Sequence, residues 1–527
     1  MPVLLVSEMG VMPTDRELDG PRGEGQGRKP STHGHRKSDS PILPAKSPNK
    51  TGSPVAEAVE GRGLPEGNTA SETHPGHCAG QGVSSDLDRV RRAAQKDRDA
   101  QFTALLHHVT VERLGTAYRA LSRDAAAGVD GVTWQSYGQQ LEENLHDLHG
   151  RLHRGAYRAK PSRRVVIPKA DGRPRPLGIA ALEDKIVQRA VVEVLNSIYE
   201  QDFLGFSYGF RPGRSQHDAL DALVAAIKRR KVGWVLDADI RDLFGSLDRT
   251  WLLKFLEHRI ADRRVLRLIQ KWLSAGVIEN GEWSESVQGA IQGASVSPLL
   301  ANVYLHYVLD QWAEQWRSRN AHGNVVIVRW ADDFIVGFEH REDAEQFLAD
   351  LRERFAKFAL ELNAEKTRLI EFGRFAARDR AARGLGKPET FGFLGFTHIC
   401  GKTRKGHFKL KRITDSKRMR TKLREVKTEL MRRRHLPIPE QGRWLASVVR
   451  GHLAYYAVPD NIDAVTAFRS QATRHWFKAL RRRSQRHRLT WERMNRLSIR
   501  WLPPARIQHP WPDDRFDVTT QGRSPVR

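Results

Sequence analysis

The sequence predicts an α+β fold, and three kinds of stretch carry that expectation. Val325-Val326-Ile327-Val328-Arg329-Trp330 and Phe334-Ile335-Val336-Gly337-Phe338 are β-rich apolar runs on either side of Ala331-Asp332-Asp333, the pattern of a tight hairpin with both aspartates at its tip. Gly233-Trp234-Val235-Leu236-Asp237-Ala238-Asp239-Ile240 reads as another strand that also ends on acid. Helical stripes surround them, the cleanest being Ile186, Val187, Ala190, Val191, Val194, Leu195 and Ile198. That stripe is assigned to the core and to no chemistry.

Adjacent carboxylates repel each other, so an Asp-Asp turn is most stable with a cation between its side chains, and hard oxygen ligands of this kind suit Mg²⁺. An Asp-Asp pair alone is more often a polar turn. With Asp239 brought beside the hairpin, the three acids would form a site for two metal ions, an arrangement suited to phosphoryl transfer.

Composition narrows the setting. A chain of 527 residues has room for two to four domains with their own cores. Its 88 Lys and Arg against 62 Asp and Glu give a formal charge of +26 and a pI near 10.3, which points to a polyanionic partner, nucleic acid first of all. Cys78 and Cys400 are the only cysteines, so a disulfide framework and a Cys-x-x-Cys zinc site are excluded, and a reducing cytoplasm is the expected location. The short run Val3-Leu4-Leu5-Val6 lacks a basic flank, so no signal peptide is expected. No apolar stretch approaches the roughly 18 residues that would span a bilayer.

Residues 1 to about 88 are rich in Gly, Pro, Ser and His and are expected to be disordered. Gly23, Gly25 and Gly27 follow no strand and are not taken as a phosphate loop. Helical spacing begins with Phe102, Leu105, Leu106, Val109 and Leu114, and Gly128-Val129-Asp130-Gly131 forms a turn. Strands at Arg163–Lys169 and Arg173–Ile179, joined at Asp171-Gly172, would project Lys169 and Arg175 toward phosphate oxygens; a solvated basic loop fits that segment equally well. Ser207–Ser215 packs turn formers around Arg211 and Arg214, a candidate RNA-backbone loop. Leu252–Leu273 reads as one amphipathic helix.

Gln292-Gly293-Ala294-Ser295-Val296 leads into a further helix, with Ser297 as N-cap and Pro298 as first helical residue. A glycine turn there would let a base or sugar approach the backbone. Ala344–Leu362 is expected as a helix over the sheet, followed by Asn363–Thr367 and the apolar turn Phe393-Leu394-Gly395-Phe396. The segments 402–434 and 474–500 are dense in Lys and Arg, interleaved with Trp444, Tyr455, Tyr456, Trp476, Trp491 and Trp501. Basic helices with aromatics suit RNA; most of these rings are expected in the core, with arginines such as Arg418 and Arg450 facing out. An irregular tail follows Pro503.

Taken together, the motifs resemble a known family. Ile167-Pro168-Lys169, Arg175–Ile179, Ser207–Ser215, Asp237–Ile240 with Phe244, Gln292-Gly293 with Ser297–Leu305, Ala331–Phe334, Asn363 with Glu365-Lys366-Thr367, and Phe393–Phe396 stand in the order found in bacterial group II intron reverse transcriptases and maturases. The likeness runs from about Phe102 to the C-terminus. Without a Cys-rich nuclease module, and with the ending Arg506–Pro512, the chain is similar to compact class C members.

The resemblance implies a right-hand polymerase: fingers, a palm with an antiparallel sheet and a helical thumb, joined to a helical maturase domain. The corresponding division is a tail at 1–88, fingers and palm at 89–400, thumb and maturase at 401–505, and a C-terminal tail at 506–527. It implies metal binding by Asp239, Asp332 and Asp333, with the carbonyl of Ile240 assisting and two Mg²⁺ ions as cofactor. Phe244 would exclude a 2′-hydroxyl, Lys169 and Arg175 would hold the triphosphate, Gln292 and Gly293 would line the nascent pair, and Lys366 would lie near the leaving phosphate. Implied partners are intron RNA, an RNA template with a DNA primer, and deoxynucleoside triphosphates; a homodimer is left open. The chain departs from the family at Trp330 in place of Tyr, at Leu243-Phe244-Gly245 in place of Phe-Phe-Asp, and at Ala290-Ile291-Gln292-Gly293 in place of Thr-Pro-Gln-Gly. A splicing-only maturase is the alternative, and an RNA-dependent RNA polymerase is disfavoured by Phe244.

Overall fold

The computed structural model describes residues 81–168, 174–279, 282–284, 293–483 and 489–514. Of the expected tail at 1–88, residues 1–80 lie outside the described residues, as do Lys169, Ile291 and Gln292; its last part is no tail, because the helix Gln81–Lys96 begins there and buries Leu87.

Eleven strands are described: β1 (Ser162–Pro168), β2 (Pro174–Ile179), β3 (Trp234–Asp239), β4 (Val277–Glu279), β5 (Glu282–Ser284), β6 (Val325–Trp330), β7 (Asp333–Phe338), β8 (Arg368–Glu371), β9 (Phe391–Phe393), β10 (Phe396–Lys402) and β11 (Phe408–Thr414). They form three sheets, in the orders β6-β7-β3-β8, β2-β1-β4-β5 and β11-β10-β9. In the first, every adjacent pair is antiparallel. β6 and β7 are almost continuously apolar because both faces are covered, and such strands read as unbroken hydrophobic runs. The helix Gln216–Arg229 packs on β6, and Arg341–Lys357 packs on β3 and β7. The stripe from Ile186 to Ile198 is buried in the same core, on the helix Leu182–Asp202. A second core joins the helices Ser416–Arg432, Ile438–Tyr456, Ile462–Arg481 and Trp491–Trp501 around the buried Trp476.

Several elements differ from the sequence expectation, each for a local reason. The helix expected over 252–273 is two, Arg249–Glu257 and Arg263–Ser274. Asp262 breaks it: its carboxylate caps the second helix at the Arg264 N–H, 2.9 Å away. It also accepts from the N–H groups of Leu105 and Leu106 at 2.8 and 3.0 Å. Ser297 is the first helical residue rather than the N-cap, which falls on Val296. The helix over the sheet ends at Lys357, and Ala359 turns away with φ +54°. The basic run from Lys402 opens with the β10–β11 hairpin, and its helix starts only at Ser416, where Asp415 accepts from the Arg418 N–H at 2.7 Å. The apolar turn does form, with Leu394 and Gly395 at φ +47° and +79° between β9 and β10. The tail returns to the body: Asp513 pairs with Lys228, and Trp511 lies over the Lys409 ammonium at 4.7 Å. Among the described residues no helix is long and apolar enough to cross a membrane.

Arg412 of β11 pairs with Asp221 of the helix Gln216–Arg229 at 2.7 Å, both side chains buried, and so ties the third sheet to the rest. Removing one partner of such a pair leaves a buried charge uncompensated. Asp221→Ala is expected to lower unfolding free energy by about 3–5 kcal/mol, and the double variant with Arg412→Met to recover most of it. Urea denaturation checks this; a single variant that unfolds like wild type contradicts it.

Candidate active site at the β3–β7 strand ends

The hairpin closes through Ala331 and Asp332, with Trp330 and Asp333 paired across its mouth. Ala331 adopts φ +55°, a left-handed conformation that costs a residue with a β-carbon about 1–2 kcal/mol. β3 runs beside β7 in the register that sets Asp239 directly opposite Asp333. The Ile240 N–H donates to the Asp332 carbonyl at 3.3 Å, which joins the end of β3 to the hairpin turn. Asp332, Asp333 and Asp239, separate in sequence, therefore occupy neighbouring backbone positions. Asp237, two residues before Asp239, shares its face of the strand.

Electrostatics follow from this crowding. Burial, and then the charges of Asp332, Asp237 and Asp239, push the Asp333 carboxyl well above the usual carboxylate range. Burial raises Asp237 to about 6, against the opposing pull of Arg368 at 3.3 Å. Asp239 has two partners from the segment after the covering helix. Lys366 Nζ reaches its Oδ2 at 2.7 Å, and Asn363 Nδ2 donates to the same oxygen at 3.2 Å. The Asn363 N–H also donates to the Asp239 carbonyl at 2.8 Å, which fixes that segment along the strand end.

Among the described residues, no three carboxylate, imidazole or thiol groups stand close enough together to hold an ion as they are. The expected ligand set of Asp239, Ile240, Asp332 and Asp333 is thus adjacent along the backbone without forming a closed cage. The side chains do not converge on one point, and Lys366 is paired with Asp239. The donor set still fits a hard divalent cation: the groups are oxygen acids, and their repulsion is what such an ion would relieve.

The remaining expected site residues fall into three groups. Phe244 is partly buried in the short helix Leu243–Ser246, just after Asp242 at φ +43°. At Gly245 a β-carbon would meet only the end of the exposed Asp242 side chain, which can turn aside, so nothing in the structure explains that departure. Gly293, at φ +110°, packs on the backbone of Gly178 in β2, where a β-carbon would lie 2.6 Å from the Gly178 carbonyl oxygen. The glycine turn and the basic hairpin therefore meet. Arg175 lies in β2 opposite Ile167, and its side chain is outside the described set.

Arg211 and Arg214, expected at an RNA backbone, turn inward and are corrected to structural roles. Arg211 pairs with Glu200 at 3.0 Å and donates to the carbonyls of Leu204 and Ser207, both at 2.8 Å, with its side chain 2% exposed. Arg214 donates to the Gly205 and Ser207 carbonyls at 2.5 and 3.2 Å, and burial lowers its pKa to about 10. A compact loop leaves buried carbonyls that require donors, and these guanidinium groups supply them. Arg418 and Arg450 are exposed on their helices.

Sequence reasoning missed the buried residues behind the hairpin, Ser207, Asn302, Asp310 and Arg329. The signal was present, since Arg329 interrupts an apolar strand and a charge buried there must find a partner. Trp330 is buried, and among the described residues its indole N–H has no hydrogen-bond partner.

Comparison with known proteins gives this geometry a family setting. Residues 167–398 match the family described as reverse transcriptase (RNA-dependent DNA polymerase). Protein YkfC of Escherichia coli K12 is 35% identical over 240 residues, covering 40% of this chain and 62% of that protein. The group II intron-encoded protein LtrA of Lactococcus lactis subsp. cremoris is 35% identical over 237 residues, covering 44% of this chain and 39% of LtrA. A 91 kDa protein in the cob intron of Schizosaccharomyces pombe is 41% identical over 158 residues, 30% of this chain and 19% of that protein. The chain thus spans less than two thirds of the length of each of these relatives. Residues 167–398 match a reverse transcriptase domain, and by sequence the chain is similar to a protein encoded in a group II intron and to an intron maturase.

Proposed function

We propose that the chain is an RNA-directed DNA polymerase of a group II intron that also binds the intron RNA to promote splicing and mobility. The observation that carries the reading is the register of β3 and β7. It sets Asp239 against Asp333 with Asp332 on the adjoining turn, inside the segment that matches reverse transcriptases.

Bound by Asp239, Asp332 and Asp333, with the Ile240 carbonyl assisting, two Mg²⁺ ions would supply an activated primer 3′-hydroxyl and charge neutralisation on the triphosphate. The protein's own part is positional. Lys366, held at the strand end by the Asn363 turn, can leave Asp239 for the departing phosphate. Phe244 closes the sugar side against a 2′-hydroxyl. Gly293, Gln292, Lys169 and Arg175 bring the glycine turn and the basic hairpin to the incoming nucleotide. Arg418 and Arg450, with the charge of the C-terminal helices, contact RNA phosphates.

A splicing-only maturase is the second reading. It is favoured by Trp330, which stands where the family has Tyr and buries next to the turn an indole N–H that has no hydrogen-bond partner among the described residues.

On an RNA template with a DNA primer, Mg²⁺ and deoxynucleotides, Asp332→Ala is expected to reduce extension by about 100-fold or more, the scale of losing one preorganised electrostatic contact in a reaction. Equal product from wild type and variant refutes the site. Intron splicing that persists in Asp332→Ala while wild type fails to extend a primer selects the second reading. Phe244→Ala is expected to relax discrimination against ribonucleotides by roughly 10-fold or more; unchanged discrimination in competition extension removes its assigned role. RNA affinity is expected to fall steeply between 50 and 200 mM salt, by about 10³-fold if six or more phosphates are contacted. Replacing Arg418 and Arg450 by Ala should each flatten the log–log salt slope by about one, and a slope that neither variant changes takes them out of the interface.

A further inference from the structure

β6 is apolar apart from Arg329, whose side chain is fully buried. Its Nε and Nη2 fork onto the Asp310 carboxylate at 2.7 and 2.6 Å, and Asp310 is buried as completely. Nη2 also reaches Ser207 Oγ at 2.7 Å. Nη1 donates twice, to Asn302 Oδ1 at 3.1 Å and to the carbonyl of Ala331 at 3.0 Å. Asn302 in turn donates from Nδ2 to the Gly209 carbonyl at 2.7 Å. Gly209 lies against the same turn, since a β-carbon on it would stand 2.3 Å from the Ala331 nitrogen. The backbone of Phe206–Tyr208 lines the free edge of β6: Arg329 N–H donates to Phe206 and Tyr208 N–H to Arg329, each at 2.9 Å.

Two of these contacts, the Arg329 Nη1 hydrogen bond and the packing of Gly209, fall on Ala331, which precedes Asp332 and holds a left-handed conformation that it does not favour. A fully buried Arg–Asp pair adds little net stability over well-packed apolar side chains of the same volume. What it can add is a fixed direction for the groups around it. Asp310 closes a π-helical turn, His306–Asp310, and irregularities of this type in helices recur at functional sites.

We propose that Arg329, oriented by Asp310 and Asn302, is the positioning residue that fixes the Ala331–Asp332 turn and so presents the Asp332 carboxylate beside Asp239 and Asp333 for divalent metal. The inference rests on the polymerase reading of those acids and assigns the restraint that makes them usable together. Arg329 itself touches no substrate.

The test uses the full chain and Mn²⁺ as the probe, with bound ion measured by loss of the free Mn²⁺ paramagnetic signal. Asn302→Ala removes the bridge to Gly209 and one partner of Arg329 while the ion pair stays. It is expected to keep wild-type secondary structure and template–primer affinity, to speed hydrogen exchange in the peptide over residues 329–334, and to weaken Mn²⁺ binding by roughly 10–100-fold, the usual cost of losing an outer-shell support. Primer extension should then half-saturate at correspondingly higher Mg²⁺. The double variant Arg329→Met with Asp310→Leu replaces the pair by apolar side chains. It is expected to melt near wild type yet show the same metal defect, which a merely stabilising pair would not produce. Asn302→Ala with wild-type Mn²⁺ affinity and wild-type exchange in the turn overturns the proposal, whether or not the double variant folds. If wild type binds no Mn²⁺, or Asp332→Ala binds it as well as wild type, the polymerase reading of the acids fails first and the inference falls with it; the wild-type and Asp332→Ala controls tell the two failures apart.

Discussion

Asp239 and Asp333 face each other across an antiparallel ladder, where like charges directly opposite destabilise the pairing. Asp332 adds a third carboxylate on the adjoining turn, and Asp237 a fourth on the same strand as Asp239. The sheet brings these groups together through its apolar content: β3, β6 and β7 are buried among helices, and slipping the register by one residue would exchange the side chains of the two packed faces. Hydrophobic burial fixes the register, and the register enforces the repulsion. Burial first, and the neighbouring acid charges after it, hold the Asp333 carboxyl above the usual carboxylate range.

Two different devices manage the conflict. On the solvent side, Lys366 and Asn363 hold the Asp239 carboxylate with reversible contacts, and the lysine is more than half exposed. On the buried side, Arg329, itself paired with Asp310, holds the backbone of the turn at the Ala331 carbonyl. The first device suits a charge that must exchange partners during a reaction. The second suits a turn that must not move. The neighbouring loop follows the same logic, because Arg211 and Arg214 serve its carbonyls and organise the segment that packs Gly209 on Ala331.

Much of this was legible in the sequence, for reasons that differ by element. The hairpin and the strand ending at Asp239 were readable because short apolar runs around paired acids have few other solutions. The pairing of β3 with β7 was suggested by composition but is dictated by long-range packing. Arg211 and Arg214 misled because turn composition with arginines looks the same whether the charges face outward or satisfy the loop's own carbonyls. The break at Asp262 was invisible locally, since its carboxylate is claimed by backbone of Leu105 and Leu106, far away in sequence. Asn302 and Asp310 lay hidden in an apolar helical stripe for the same reason: their partner is on a distant strand.

The central claim is that acids brought together by one strand register share divalent ions. The most direct measurement is anomalous scattering from Mn²⁺-soaked crystals of the full chain with template, primer and a deoxynucleotide. The account predicts strong peaks in contact with carboxylate oxygens of Asp239 and Asp332, with Asp333 adjoining and Lys366 displaced from Asp239. Manganese bound elsewhere, with the Lys366–Asp239 pair intact and no peak at the hairpin, would contradict it.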